Sequence, residues 1–151
     1  PDDISVELDF SRADGHGPDE HRYLLEVEVK NNSDVTLPVY RLVVDMPKEV
    51  IVDSQLKSQM LEPGVPVETK QSSGYQRMFA FSGSEIHAFG PLFPGETHRI
   101  VGEVPPSFRL EYKMDRNLYD KGFLGVKVFW YLYGVKTPKT GEVFLDSLTK
   151  F

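Results

Sequence analysis

The sequence contains no cysteine. Disulfides, thiolate metal sites and cysteine nucleophiles are thereby excluded together. Helical signal is scarce: apart from 53–61 and 109–119, no stretch of about twelve residues keeps a 3.6-residue apolar period free of Gly and Pro. No apolar run approaches the ~20 residues of a membrane-spanning helix, and no charged-then-apolar leader opens the chain, so this segment is not expected to insert into a membrane. Basic charge is in deficit. Seventeen Lys and Arg against twenty-three Asp and Glu leave a net charge of -6, which repels a phosphate backbone and disfavours nucleic-acid binding. Neither a Gly-x-Ser-x-Gly elbow nor a phosphate-cradling glycine loop is present. No cofactor and no catalytic residue is therefore expected.

What is present is ordinary globular composition, 40% hydrophobic and 26% charged, in a length suited to one core. The chain starts at Pro1, which suggests a segment cut from a longer protein, with residues 1–151 forming a single domain of it. Ile4, Val6, Leu8 and Phe10 alternate with Ser5, Glu7 and Asp9, the period of a half-buried strand. The turn-rich segment 13–20 follows. Tyr23, Leu25, Val27 and Val29 then alternate with Glu26, Glu28 and Lys30 until Asn31-Asn32-Ser33-Asp34 stops the run. Residues 39–46, apolar on both parities except for Arg41 and Asp45, predict a central strand covered on both faces and ended near Pro47. Shorter runs at 50–52, 66–69, 76–81 and 85–89 predict edge or sheet-switching strands. Residues 97–104, 125–133 and 142–145 complete the set, with a corner at 91–96 and a turn at 136–141. Many short strands with turn signals between them, and minor helix, predict an all-β, antiparallel immunoglobulin-like β-sandwich.

Two stretches carry a family character. Leu25-Glu26-Val27-Glu28-Val29-Lys30-Asn31-Asn32-Ser33-Asp34, followed by Leu42-Val43-Val44-Asp45-Met46-Pro47, gives a strand, an Asn-x-Ser turn, a strand and a proline. Phe89-Gly90-Pro91-Leu92-Phe93-Pro94-Gly95-Glu96-Thr97 gives a Leu-x-Pro-Gly-Glu corner. Together they resemble bacterial immunoglobulin-like domains of the CARDB type, found in adhesion-related proteins. The resemblance covers about half the chain and implies an accessory module without an active site, one domain among several. The stretch 54–75 and the basic loop after Pro106 depart from that pattern.

Four candidate sites follow. The loop from Asp14 through His16, Asp19 and Glu20 to His21 gathers ligand types for zinc or a harder cation, but its spacing fits no metal motif and a charged hairpin loop explains it equally. His87 near Glu85 and His98 near Glu96 could form acid-base pairs only in a cleft with a nucleophile; as lone histidines at strand ends they are expected on the surface. Residues 109–121 mix cations with Tyr112 and Tyr119 and could hold an anion, although an exposed connection with balanced charges is the simpler reading. In the last strong strand Val126, Val128, Trp130 and Leu132 form a core face, so Lys127, Phe129, Tyr131 and Tyr133 share the other. Three aromatics on an outward face require a cover, which the 54–75 stretch folded across them would supply, or a ligand. The expectation is a non-catalytic module that contacts a protein or a neighbouring domain through these four residues. The alternatives are carbohydrate recognition on the same aromatics and a metal site in the 14–21 loop.

Overall fold

The computed structural model describes residues 3–13, 20–52, 75–81, 89–104, 107, 109–122 and 125–145. Strand β1 (Ile4–Ala13) pairs antiparallel with β2 (Glu20–Asn31) in unbroken register, from Ile4 opposite Asn31 to Ala13 opposite Arg22. Val6, Leu8 and Phe10 thus face Val29, Val27 and Leu25, an apolar run on one side of the hairpin between the Ile4–Asn31 and Arg12–Tyr23 pairs. The far edge of β2 serves two strands in succession: β5 (Thr97–Val101) along Val27–Lys30 and β6 (Glu111–Asp115) along Glu20–Leu24. A register shift in the β2–β5 pairing lets the consecutive Ile100 and Val101 both turn inward, each fully buried.

The second sheet has the order β4 (Tyr75–Phe81), β3 (Arg41–Pro47), β7 (Lys127–Tyr133), β8 (Lys139–Phe144), all antiparallel. Its inner residues Leu42, Val44, Met46, Val128 and Leu132 join Leu25, Val27, Ile100 and Tyr112 of the first sheet in one core. Ile51 forms an isolated bridge with Tyr112 of β6, and Lys139 Nζ donates to the Ile4 carbonyl at 2.7 Å, which laces β8 to β1. The described helices are a 3-10 turn at Lys48–Val50 and α1 (Arg116–Asp120), whose N-cap Asp115 accepts from the Leu118 N–H at 2.7 Å. This is an all-β fold of two packed antiparallel sheets.

The expected β1 to β3 and β7 form as predicted, and β3 is buried from Leu42 to Pro47 on both parities. Three expectations are corrected. Residues 111–115 are a strand, not an exposed connection or part of a helix: Tyr112 and Met114, two apart, are fully buried against Tyr23 and His21 in register. The strand predicted over 97–104 ends at Val101. The turn predicted through 136–141 is strand from Lys139 onward, because Gly141 lies under the Trp130 ring, where an added Cβ would overlap the indole. Of the shorter runs, 50–52 supplies the end of the 3-10 turn and the Ile51 bridge. The possible helix at 53–61, the run at 66–69 and most of the run at 85–89 lie outside the described residues.

Candidate functional site

Backbone polarity decides which way β7 and β8 present their groups. The Leu145 N–H donates to the Val126 carbonyl at 3.0 Å, and in an antiparallel ladder hydrogen-bonded pairs recur every second residue. With Val128 opposite Val143, Trp130 opposite Gly141 and Leu132 opposite Lys139, the β8 residues 139, 141 and 143 spend their backbone groups on β7. The odd-numbered β7 residues turn theirs toward β3, where Phe129 faces Asp45 and Tyr131 faces Val43. Side chains follow the same alternation. Val128 and Leu132 are fully buried inward, while Lys127, Phe129, Tyr131 and Tyr133 stand on the outer side.

That outer side grades from closed to open. On β3, Val43 is 2% and Asp45 0% exposed; on β7, Phe129 and Tyr131 are half-buried and Tyr133 is 42% exposed; on β8, Phe144 is 47% exposed. Between the last two strands lies an open groove of about 420 Å³ lined by Phe129, Tyr131, Thr140, Gly141 and Glu142. Lys127 Nζ closes one end, donating to Glu142 at 2.9 Å and standing 5.4 Å from the centre of the Phe144 ring.

The opposite flank is finished by Tyr75. Continuing the β3–β7 register by two residues brings Pro47 opposite Lys127, a hydrogen-bonded position at which proline has no N–H to give. Tyr75, paired with Pro47 on β4, donates its hydroxyl to the Lys127 carbonyl at 2.6 Å and sets its ring 5.5 Å from that of Phe129. Burial raises the Tyr75 pKa, and the Glu49 charge adds to the shift.

Other predicted positions fall elsewhere. His98 is 4% exposed, which corrects its expected place on the surface. Its Nε2 lies 3.0 Å from a Glu96 carboxylate oxygen, and its Nδ1 lies 3.1 Å from the Tyr40 hydroxyl. A carboxylate only accepts, so Nε2 donates to Glu96, and Nδ1 shares the second hydrogen bond with the Tyr40 hydroxyl. Burial, then the Glu96 charge, pushes the Tyr40 pKa far up. With Tyr40 2% exposed, this chain joins the entry to β3 to the 93–96 corner and presents no open face to a substrate. Of the loop residues, Asp14, His16 and Asp19 lie outside the described residues, as do Glu85 and His87. Glu20 and His21 belong to β2, where Glu20 accepts from Arg22 Nε at 2.7 Å. Among the described residues no group of three or more His, Asp and Glu gathers at metal-binding distance. In 109–121 the two tyrosines part: Tyr112 is fully buried and Tyr119 half-buried, packed against the core.

The structure thus brings Lys127, Phe129, Tyr131 and Tyr133 onto one face and adds Thr140 and Glu142 to it, with Gly141 between them lining the groove. A sequence signal for these existed in the alternation of Thr140, Glu142 and Phe144 with Gly141 and Val143, but the turn reading of Gly141 hid it. No family model matches the sequence, and none of the curated proteins compared matches it. Among the described residues no helix is long and apolar enough to cross a membrane.

Proposed function

We propose that this chain is a non-catalytic immunoglobulin-like binding module whose contact surface is the outer side of β7 and β8. The strand orders support the architectural half of the reading. The sequence β4-β3-β7-β8 corresponds to C′-C-F-G of an immunoglobulin sandwich and β1-β2-β5 to A-B-E, which also agrees with the resemblance to CARDB-type modules. One departure is β6, which shares the β2 edge with β5; another is the lone Trp130, which stands on the F-like strand and not on the C-like one.

The functional half rests on one observation: the outer side of the sheet, closed over at Val43 and Asp45 of β3, opens into a groove beside the β7 aromatics. Half-exposed tyrosine and phenylalanine are residue types that interfaces concentrate. A protein partner fits better than a sugar, because Phe129 already spends part of its ring on Tyr75 and Lys127 holds Glu142. Those contacts reduce both the free stacking surface and the free hydrogen-bonding capacity on which a saccharide would depend.

Presenting the labelled protein to a peptide array and to a glycan array tests the proposal. Retention on peptides, lost in Tyr131→Ala with the circular dichroism spectrum unchanged, is the expected result. Retention on glycans alone would establish carbohydrate recognition instead, and retention indifferent to Tyr131→Ala would remove this face from the account.

A further inference from the structure

Strand β8 is the outermost strand of its sheet among the described residues. Since residues 139, 141 and 143 face β7, the N–H and C=O groups of Thr140, Glu142 and Phe144 point away from the sheet. An edge of this kind is a template for another strand unless charge, proline or a bulge blunts it. None of these does so here. The β7–β8 register runs without a shift from 127/144 to 132/139, whereas the β2–β5 and β3–β4 pairings both slip by one residue. Residues 139–144 contain no proline. Of the two charges on the strand, Lys139 is bonded to the Ile4 carbonyl and the half-exposed Glu142 is paired with Lys127 on the outer face.

We propose that β8 is a strand-addition site for an extended segment of another protein that carries Arg or Lys at alternate positions; this rests on the reading of the β7–β8 face as the contact surface. The added strand would pair with Thr140, Glu142 and Phe144, and its side chains on the outer side would lie along the groove floored by Phe129 and Tyr131. Charge selects the cationic partner. The groove carries the half-exposed Glu142 carboxylate, the Phe144 ring already accepts the ammonium of Lys127, and the chain as a whole bears -6. Side chains on the alternate positions would meet Val143 and Gly141, which favours β-branched apolar residues there.

The test titrates the protein with a peptide of roughly ten residues alternating Arg and Val, and with its Glu-for-Arg counterpart. The Arg peptide is expected to bind, more weakly as salt rises, and Thr140→Pro should weaken it by about tenfold or more by deleting one edge N–H that β7 does not use. Circular dichroism of that variant should match the parent. Equal binding by Thr140→Pro with loss in Tyr131→Ala overturns strand addition and keeps the face. Indifference of binding to both variants overturns both. No binding of the Arg peptide, equal binding of the Glu peptide, or a dimer in sedimentation that Thr140→Pro dissolves would also overturn the proposal, the last by showing that a second copy of β8 occupies the edge.

Discussion

Proline at position 47 leaves a carbonyl of β7 without its ladder donor, and a tyrosine from the far side of β3 supplies one. Tyr75→Phe keeps the ring beside Phe129 and removes only the hydroxyl, so the change isolates that bond. An unfolding free energy lower by about 1–2 kcal/mol is expected, measured as a shift in the denaturant midpoint at constant slope. Pro47 was legible in the sequence as a strand terminator, but the side chain that completes its place was not, because the pairing joins residues 52 positions apart. Asn31 shows the same division. Its turn role, with donation to the Val35 carbonyl, can be read from Asn-Asn-Ser-Asp, yet its full burial goes with a second donation to the Leu92 carbonyl, 61 residues away. His98 was misread for a related reason: a histidine at a strand end is buried only if partners such as Tyr40 and Glu96 arrive to satisfy both ring nitrogens.

At the level of elements, period-two alternation found the strands that are long and carry branched or aromatic residues. It placed Lys127, Phe129, Tyr131 and Tyr133 on one side of β7, as the structure does, and predicted the two-sided burial of β3. It failed where polar residues dominate a short strand. In β6 only Tyr112 and Met114 carry the pattern, and the charges between them read as a solvated loop. In β8 a glycine that would mark a turn in isolation is instead required by packing, since Trp130 occupies the space of its missing side chain. The candidate surface was therefore half legible: its β7 row could be named, while the β8 wall that turns the row into a groove could not.

Across the whole molecule, two buried tyrosines link stability to alkaline pH. Tyr40 sits in the buried chain with His98, and Tyr112 is fully buried with no hydrogen-bond partner for its hydroxyl among the described residues. Burial is the leading cause that raises both pKa values above that of an exposed tyrosine. In the unfolded chain these groups ionise near pH ~10. Raised folded values mean that the native state holds protons the unfolded state has released, so their contribution is complete below that pH and is lost as pH rises toward the folded values. The melting temperature should stay level through neutral pH and fall above about pH 10, with less of a fall in Tyr112→Phe. Simple titration of all seven tyrosines in a still-folded protein, followed by tyrosinate absorbance, would contradict this.

The central claim is that the β7–β8 edge and its outer face form an open contact surface, and amide hydrogen exchange followed by NMR tests it most directly. In the free protein the amides of Lys139, Gly141 and Val143 should be protected and those of Thr140, Glu142 and Phe144 should exchange rapidly; the second set should become protected when the Arg-Val peptide is added. Protection of Thr140, Glu142 and Phe144 in the free protein, or no change on adding the peptide, would contradict the account.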